Sequence, residues 1–316
     1  MGFADTARAG QLLTELGLGG DAAGSADRPV LTALAGAADP GQALAGLARM
    51  APDAELRQAL DYDPVLRDRL VSVLGASAAL GDYLARHPGD WRLLTEPAPF
   101  PSPDASPDAH SGLRAAVAHA PDPVTALRLA YKRELLQLAA SDLTGERPLD
   151  DIMAGLADAA GAALSCALAI ARAELPEDAA SGRLAVIAMG KCGARELNYA
   201  SDVDVIFVGD SADPESLRGA TALARRMIRV CSQSTPEGHL FPVDPNLRPE
   251  GRDGPLVRTV ASHRTYYERW ASTWEFQALL KARFVAGDAE LGAEYLAAIT
   301  PMVWQAAQRD GFVADV

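Results

Sequence analysis

Two aspartates one residue apart, Asp202 and Asp204, stand at the head of an apolar run, Val203-Asp204-Val205-Ile206-Phe207-Val208. They follow a glycine turn, Met189-Gly190-Lys191-Cys192-Gly193, which itself ends a second apolar run, Leu184-Ala185-Val186-Ile187-Ala188. Short apolar runs punctuated by turn residues predict two strands of one sheet, with a short helix opening at the glycines and one crossover between the halves. Successive strand side chains point to opposite faces, so residues two apart share a face. Asp202 and Asp204 are therefore expected to aim both carboxylates at one spot while Val203 and Val205 enter the core. Hard oxygen ligands gathered in this way suit magnesium. A glycine turn at a helix start leaves backbone N–H groups free for a nucleotide's phosphates, and Lys191 adds charge there. The joint pattern predicts a metal-dependent nucleotidyl-transfer site.

The turn is neither a Walker A loop, because Cys192 follows Gly190-Lys191 where Ser or Thr would stand, nor a dinucleotide fingerprint. Two metal ions in a phosphoryl-transfer site share several acidic ligands, which calls for a third carboxylate. Gly238-His239-Leu240-Phe241-Pro242-Val243-Asp244 predicts a further strand, and Asp244, ending it before Pro245-Asn246-Leu247-Arg248-Pro249, is the expected third ligand. Gly251-Arg252-Asp253-Gly254-Pro255-Leu256-Val257 predicts a loop near the site mouth. After it a helical stretch carries Tyr266-Tyr267, Trp270, Trp274-Glu275, Lys281 and Arg283. Trp270 and Trp274, four apart on one helix face, are expected in the core rather than as a stacking surface.

With 316 residues and 49% hydrophobic content, the chain can form two packed regions around a sizeable core. Its net charge of -13 argues against a general nucleic-acid-binding surface and so against a tRNA- or poly(A)-polymerase reading. Three widely spaced cysteines, Cys166, Cys192 and Cys231, form neither a disulfide framework nor a zinc knuckle, and the five histidines show no ligand spacing. No signal peptide or apolar run of membrane-spanning length is read, so a soluble cytoplasmic protein with no membrane partner is expected. Three regions are expected: residues 1–112, helical, with a proline- and serine-rich mobile linker at 97–107; residues 113–180, helices that brace the sheet; and residues 181–316, the catalytic domain. Glycines in the first 58 residues break any long helix there. Leu66, Leu70, Val73 and Leu74 mark one apolar helix face, and Leu80, Tyr83 and Leu84 another helix. Leu127 to Leu138, Ile152 to Ile170, and Leu217 to Val230 mark three more.

The motifs resemble a known family. The stretch from Gly190 through Ala194-Arg195-Glu196-Leu197-Asn198-Tyr199-Ala200-Ser201 to Asp204 is similar to the signature of the bifunctional glutamine synthetase adenylyltransferase/adenylyl-removing enzymes. Val243 to Gly251, Gly254-Pro255-Leu256-Val257, Trp274-Glu275, Lys281-Ala282-Arg283 and Ala286-Gly287-Asp288 resemble it too, and weaker likeness reaches back to about residue 60. Asn246, Cys192, Ala194 and Phe276-Gln277 depart from the family's usual residues, but no carboxylate is lost. The resemblance implies an α+β, nucleotidyltransferase-type fold, polymerase β-like, with a mixed sheet and a helical region ahead of it. It also implies a piece of a longer protein with two such units, of which this is the N-terminal one. That unit is associated with phosphorolytic removal of AMP from a glutamine synthetase tyrosine, giving ADP.

On this basis Asp202, Asp204 and Asp244 are expected to hold two Mg2+ ions. Gly190, Lys191 and Ser201 would place the nucleotide's phosphates, and Lys281, Arg283 and Arg248 the incoming inorganic phosphate, for in-line displacement at the α-phosphorus. Glutamine synthetase is the implied partner, with a PII-type signalling protein as a second. The alternatives are adenylylation from ATP, another protein or small-molecule nucleotidyltransferase, and a non-catalytic docking module.

Overall fold

The computed structural model describes residues 3, 5–18, 28–50, 52–96, 111–180, 182–210 and 213–308; the segment 97–107 singled out above lies outside them. The described elements run α1 (Thr6–Glu15), α2 (Arg28–Gly36), α3 (Pro40–Met50), α4 (Ala54–Tyr62), α5 (Pro64–Ala76), α6 (Ala78–Arg86), α7 (Ser111–Ala118), α8 (Pro123–Leu143), α9 (Leu149–Glu174) and α10 (Glu177–Ala180). There follow β1 (Leu184–Ala188), α11 (Gly190–Gly193), β2 (Val203–Gly209), α12 (Pro214–Ser232), β3 (Val243–Asp244), β4 (Val257–Thr259), α13 (Val260–Arg269), α14 (Thr273–Leu279), β5 (Arg283–Gly287) and α15 (Ala289–Ala307). They fall into two compact units, Met1–Phe100 with Lys132–Ile152, and Pro101–Tyr131 with Met153–Val316.

The first unit is helical. Asp5, Asp53, Asp63 and Ser77 each accept a backbone N–H from the turn they precede, which starts α1, α4, α5 and α6 where the alanine-rich sequence alone would be indifferent. Leu66, Leu70, Val73 and Leu74 are buried on α5 as their spacing predicts. Buried Arg69 forks onto Glu146 at 2.7 Å through Nε and 2.7 Å through Nη2, and donates to the Leu94 carbonyl at 2.9 Å, so its charge is paired.

The second unit is built on a mixed, five-stranded sheet in the order β3-β2-β1-β5, with β4 also on β2. This is the α+β architecture expected. β1 lies antiparallel to both β2 and β5, while β3 and β4 run parallel to β2. The expected crossover between the glycine turn and the aspartate strand is thus absent: β1 and β2 are adjacent antiparallel partners, which need no crossover. The third strand is also shorter than predicted, Val243–Asp244 alone, since Pro242 has no N–H to give the ladder and a Thr235–Gly238 bridge closes a turn ahead of it.

Ala185, Ile187, Ile206 and Val208 face one core with Tyr267, Phe276, Tyr295 and other residues of α13, α14 and α15. Val186, Val205 and Phe207 are buried on the opposite face, so β1 and β2 read as continuous apolar runs because both faces are covered. The single helical stretch expected after Val257 is two helices followed by a strand. α13 ends at Arg269, and α14 restarts where Glu275 accepts the Ser272 N–H at 2.7 Å. Trp270 and Trp274 therefore do not share a helix face, and they are 63% and 51% exposed, which corrects their expected place in the core. α9 also corrects the absence of a long apolar run: at 26 residues, with a mean hydropathy of 1.6 over its most apolar window, it is long and apolar enough to cross a membrane. Yet 67% of that window is buried inside the protein, as in a core helix.

Candidate active site

Register brings the acids together. β2 and β3 pair in parallel with Val203 opposite Val243 and Asp204 opposite Asp244, so the two carboxylates are side-by-side neighbours on adjacent strands. Asp202 precedes Asp204 by two residues and shares its face. Carboxylate oxygens of Asp202, Asp204 and Asp244 lie within 4.8 Å of one another, Asp202 exposed and the other two half-buried. Asp244 is held further by the backbone N–H of Asn246, which donates to its Oδ1 at 2.7 Å. Burial first, and then the charges of Asp202 and Asp244, raise the Asp204 carboxyl above its ordinary value, with Lys191 opposing. Three carboxylates at one point, with hard oxygens and mutual repulsion that a cation would relieve, fit magnesium or manganese.

The glycine turn abuts this cluster. The Met189 N–H donates to the Asp204 carbonyl at 2.9 Å, so α11 begins one residue beyond the β1–β2 ladder. Gly190 has φ +51°, and a Cβ there would lie 2.3 Å from Asp204 Oδ2: the site needs a residue with no side chain at this point. The first N–H groups of α11 have no intrahelical acceptor. Ser201 donates its hydroxyl to Asp202 at 3.5 Å. The Cys192 thiol is buried, pushed up to about 11 by that burial, and turned to the Ala157 carbonyl.

The remaining cations expected to meet phosphate have other partners. Arg283 donates through Nη2 to the Cys192 carbonyl at 2.9 Å and through Nε to the Gly193 carbonyl at 3.2 Å, holding the end of α11 from behind. Lys281 Nζ pairs with Glu196 at 2.8 Å on the surface. Arg248 gives its donors to the carbonyls of Pro245, Arg252 and Gly254 at 2.9 to 3.2 Å, stapling the loop after Asp244. In that loop Glu250 takes a left-handed φ of 64°. The structure thus gathers Asp202, Asp204, Asp244, Gly190, Lys191 and Ser201, and turns Arg248, Lys281 and Arg283 to local partners.

One residue escaped the sequence reading. Asp158 of α9 accepts from Arg195 at 3.2 Å (Nε) and 2.6 Å (Nη2), and lies 3.5 Å from Arg283 Nη1. Its signal was present: Asp158 is the only charged residue between Ile152 and Ala171.

Known proteins resemble this chain along most of its length. The family profile described as glutamate-ammonia ligase adenylyltransferase matches residues 67–298. A Streptomyces coelicolor protein named bifunctional glutamine synthetase adenylyltransferase/adenylyl-removing enzyme is 54% identical over 332 residues, covering 100% of this chain and 32% of its own length. Proteins of the same name are 50% identical over 299 residues in Mycobacterium marinum and 48% identical over 305 in Mycobacterium tuberculosis, each covering 91% of this chain and 29% of their own. The chain spans about a third of the length of the curated relatives it matches.

Proposed function

Because this chain belongs to the glutamate-ammonia ligase adenylyltransferase family, we propose that it is a metal-dependent nucleotidyltransferase acting on glutamine synthetase, removing AMP from an adenylylated tyrosine with inorganic phosphate to give ADP. The observation that carries this is the convergence of Asp202, Asp204 and Asp244 beside a side-chain-free Gly190 and a cationic Lys191. Asp202, Asp204 and Asp244 would hold the Mg2+, two ions in this proposal; when bound, it supplies positive charge to the phosphoryl oxygens and to the entering and leaving oxygens.

The chain's own residues position the groups around that point. The ladder fixes Asp204 and Asp244 through their backbones, so their carboxylates need little reorganisation. Gly190 keeps the space beside Asp204 open, and Lys191 neutralises phosphate charge. A phosphate oxygen forms the new bond to the α-phosphorus as the bond from phosphorus to the tyrosine oxygen breaks, and the tyrosine oxygen takes up the proton that the inorganic phosphate carried. Positioning and charge stabilisation suffice, and no protein nucleophile is required. The same arrangement would serve a different displacement at the α-phosphorus, in which a tyrosine oxygen attacks ATP and pyrophosphate leaves. Removal is preferred because the match runs over the N-terminal part of relatives whose printed name carries both activities.

The test is incubation with adenylylated glutamine synthetase, magnesium and labelled inorganic phosphate. Labelled ADP is the expected product. Unlabelled AMP would indicate hydrolysis, and, in a parallel incubation of unmodified glutamine synthetase with α-labelled ATP, label on glutamine synthetase with no labelled ADP from the first would assign the addition reaction; either retires the removal proposal.

A further inference from the structure

Resting on the nucleotidyl-transfer reading above, we propose that Asp158, acting through Arg283 and Arg195, is a positioning residue that sets the glycine turn against Asp204 and with it the phosphate end of the site. The turn cannot place itself. α11 is four residues long, and a single helical turn has no stability of its own, so its position is decided by what grips it.

The grip comes from two sides. On one, Gly193 lies so close to the backbone that a Cβ would meet the Lys281 carbonyl at 1.9 Å and the Ala188 carbonyl at 2.7 Å, which bars movement in that direction. On the other, Arg283 holds the Cys192 and Gly193 carbonyls with Nη2 and Nε, and its remaining nitrogen, Nη1, is turned to Asp158. A planar guanidinium with three edges engaged is fixed in orientation as well as place. The same carboxylate takes Arg195 in a two-point pair; Arg195 follows the turn with φ 61°, a left-handed conformation that costs a non-glycine residue about 1 kcal/mol. Next to Asp158, the Ala157 carbonyl accepts the Cys192 S–H at 3.9 Å, so α9 meets the turn itself through Ala157 and the arginines that flank it through Asp158.

The carbonyls held in this way belong to the two residues that follow Lys191. Any slack there moves Lys191 and brings Gly190 toward or away from Asp204 Oδ2, where the clearance is too small for a methyl group. Asp158 touches neither nucleotide nor acid cluster in this account; it acts through Arg283.

The test compares Asp158→Asn, Asp158→Glu and Arg283→Lys with the parent chain. Asn keeps the shape and loses the charge; Lys keeps a charge but cannot fork to two carbonyls. A purely structural loss lowers kcat in proportion to the folded fraction and leaves KM unchanged. A displaced turn raises KM for phosphate and weakens Mg·ADP binding, measured by calorimetry, by about tenfold or more, since misplacements near 1 Å cost up to about 10²-fold. In hydrogen exchange, amides of 190–196 should lose protection in Asp158→Asn and Arg283→Lys while those of β1 and α12 keep theirs, and Asp158→Glu should recover most of both readings. Unchanged exchange at 190–196 with ADP affinity near that of the parent overturns the proposal, even if Asp158→Asn is less stable. Should the parent bind ADP yet release none from adenylylated glutamine synthetase, the reaction proposed above falls, and exchange and affinity still decide the role of Asp158. If Asp158→Asn does not fold, Arg283→Lys carries the same comparison.

Discussion

Replacing Gly190 with alanine separates the site from the fold. The residue sits at φ +51°, where an alanine costs about 1 to 2 kcal/mol of backbone strain. The new Cβ would stand 2.3 Å from Asp204 Oδ2. An unstrained contact needs roughly 3.5 Å, so the carboxylate or the turn must retreat by about 1 Å. The Asp204 backbone is held on one side by the Met189 N–H, which donates to its carbonyl, and on the other by the β2–β3 ladder, so the give falls on its side chain and on the turn, the two parts the proposed chemistry uses. A displacement of that size costs about 10²-fold in turnover, equivalent to about 2.7 kcal/mol of transition-state stabilisation. The strain is too small to unfold a domain of ordinary stability. The expected result for Gly190→Ala is therefore a modest fall in Tm, a hundredfold or greater loss in kcat/KM, and weakened Mn2+ binding by titration. Gly161→Ala is the control: on α9 its Cβ would meet Val285 at 3.5 Å, ordinary contact, and removing a mid-helix glycine should stabilise by about 0.5 to 1 kcal/mol with turnover unchanged. Turnover within threefold of the parent in Gly190→Ala would refute the reasoning, because Asp204 would then be free to work from elsewhere.

Asp204→Asn should abolish turnover while leaving the metal-free protein at least as stable as the parent, because it removes a half-buried charge facing two others; a variant working at parent rate in magnesium would sink the metal assignment. Arg128, 1% exposed, gives its donors to the carbonyls of Val124, Val230, Gln233 and Gly238, which ties α12's end to the turn before β3. Arg128→Met leaves those carbonyls short of donors and should cost about 3 kcal/mol in urea unfolding; equal or greater stability would mean that burying the guanidinium costs more than its bonds return. His263 is 1% exposed, donates Nδ1–H to the Thr259 carbonyl at 3.0 Å and leaves Nε2 without a partner; burial pushes it down to about 4 from an ordinary 6.5. The unfolded chain then binds the extra proton between those values, so stability present above pH 6.5 falls as pH drops toward 4, by about 2 kcal/mol at pH 5. His263→Gln, which has no proton to gain, should show a flatter urea midpoint between pH 7.5 and 5, and an unchanged slope would count against the assignment.

Local chemistry determined much of this protein from its sequence. Alternation across a strand put Asp202 and Asp204 on one face. Two apolar runs around a glycine turn marked the β1 and β2 strands, and the 3.6-residue spacing of Leu66, Leu70, Val73 and Leu74 marked α5; each depends on residues a few positions apart. Tertiary structure decided what depends on partners far along the chain. The antiparallel pairing of β1 with β2, and the parallel register that sets Asp244 beside Asp204, are choices of neighbour that periodicity cannot express. The same holds for the partners of the cations: residue type marks Arg283, Arg248 and Lys281 as able to take phosphate, while the acceptors that folding brings within their reach, carbonyls of Cys192, Gly193, Pro245, Arg252 and Gly254 and the carboxylate of Glu196, lie too far along the chain or in too irregular a loop for spacing to name. Trp270 and Trp274 went outward because a helix break between them undid the spacing that had placed them on one face. Asp158 shows the converse: its lone charge in an apolar helix was visible in the sequence, but its partners lie 37 and 125 positions further on, as Arg195 and Arg283, and only the fold could supply them.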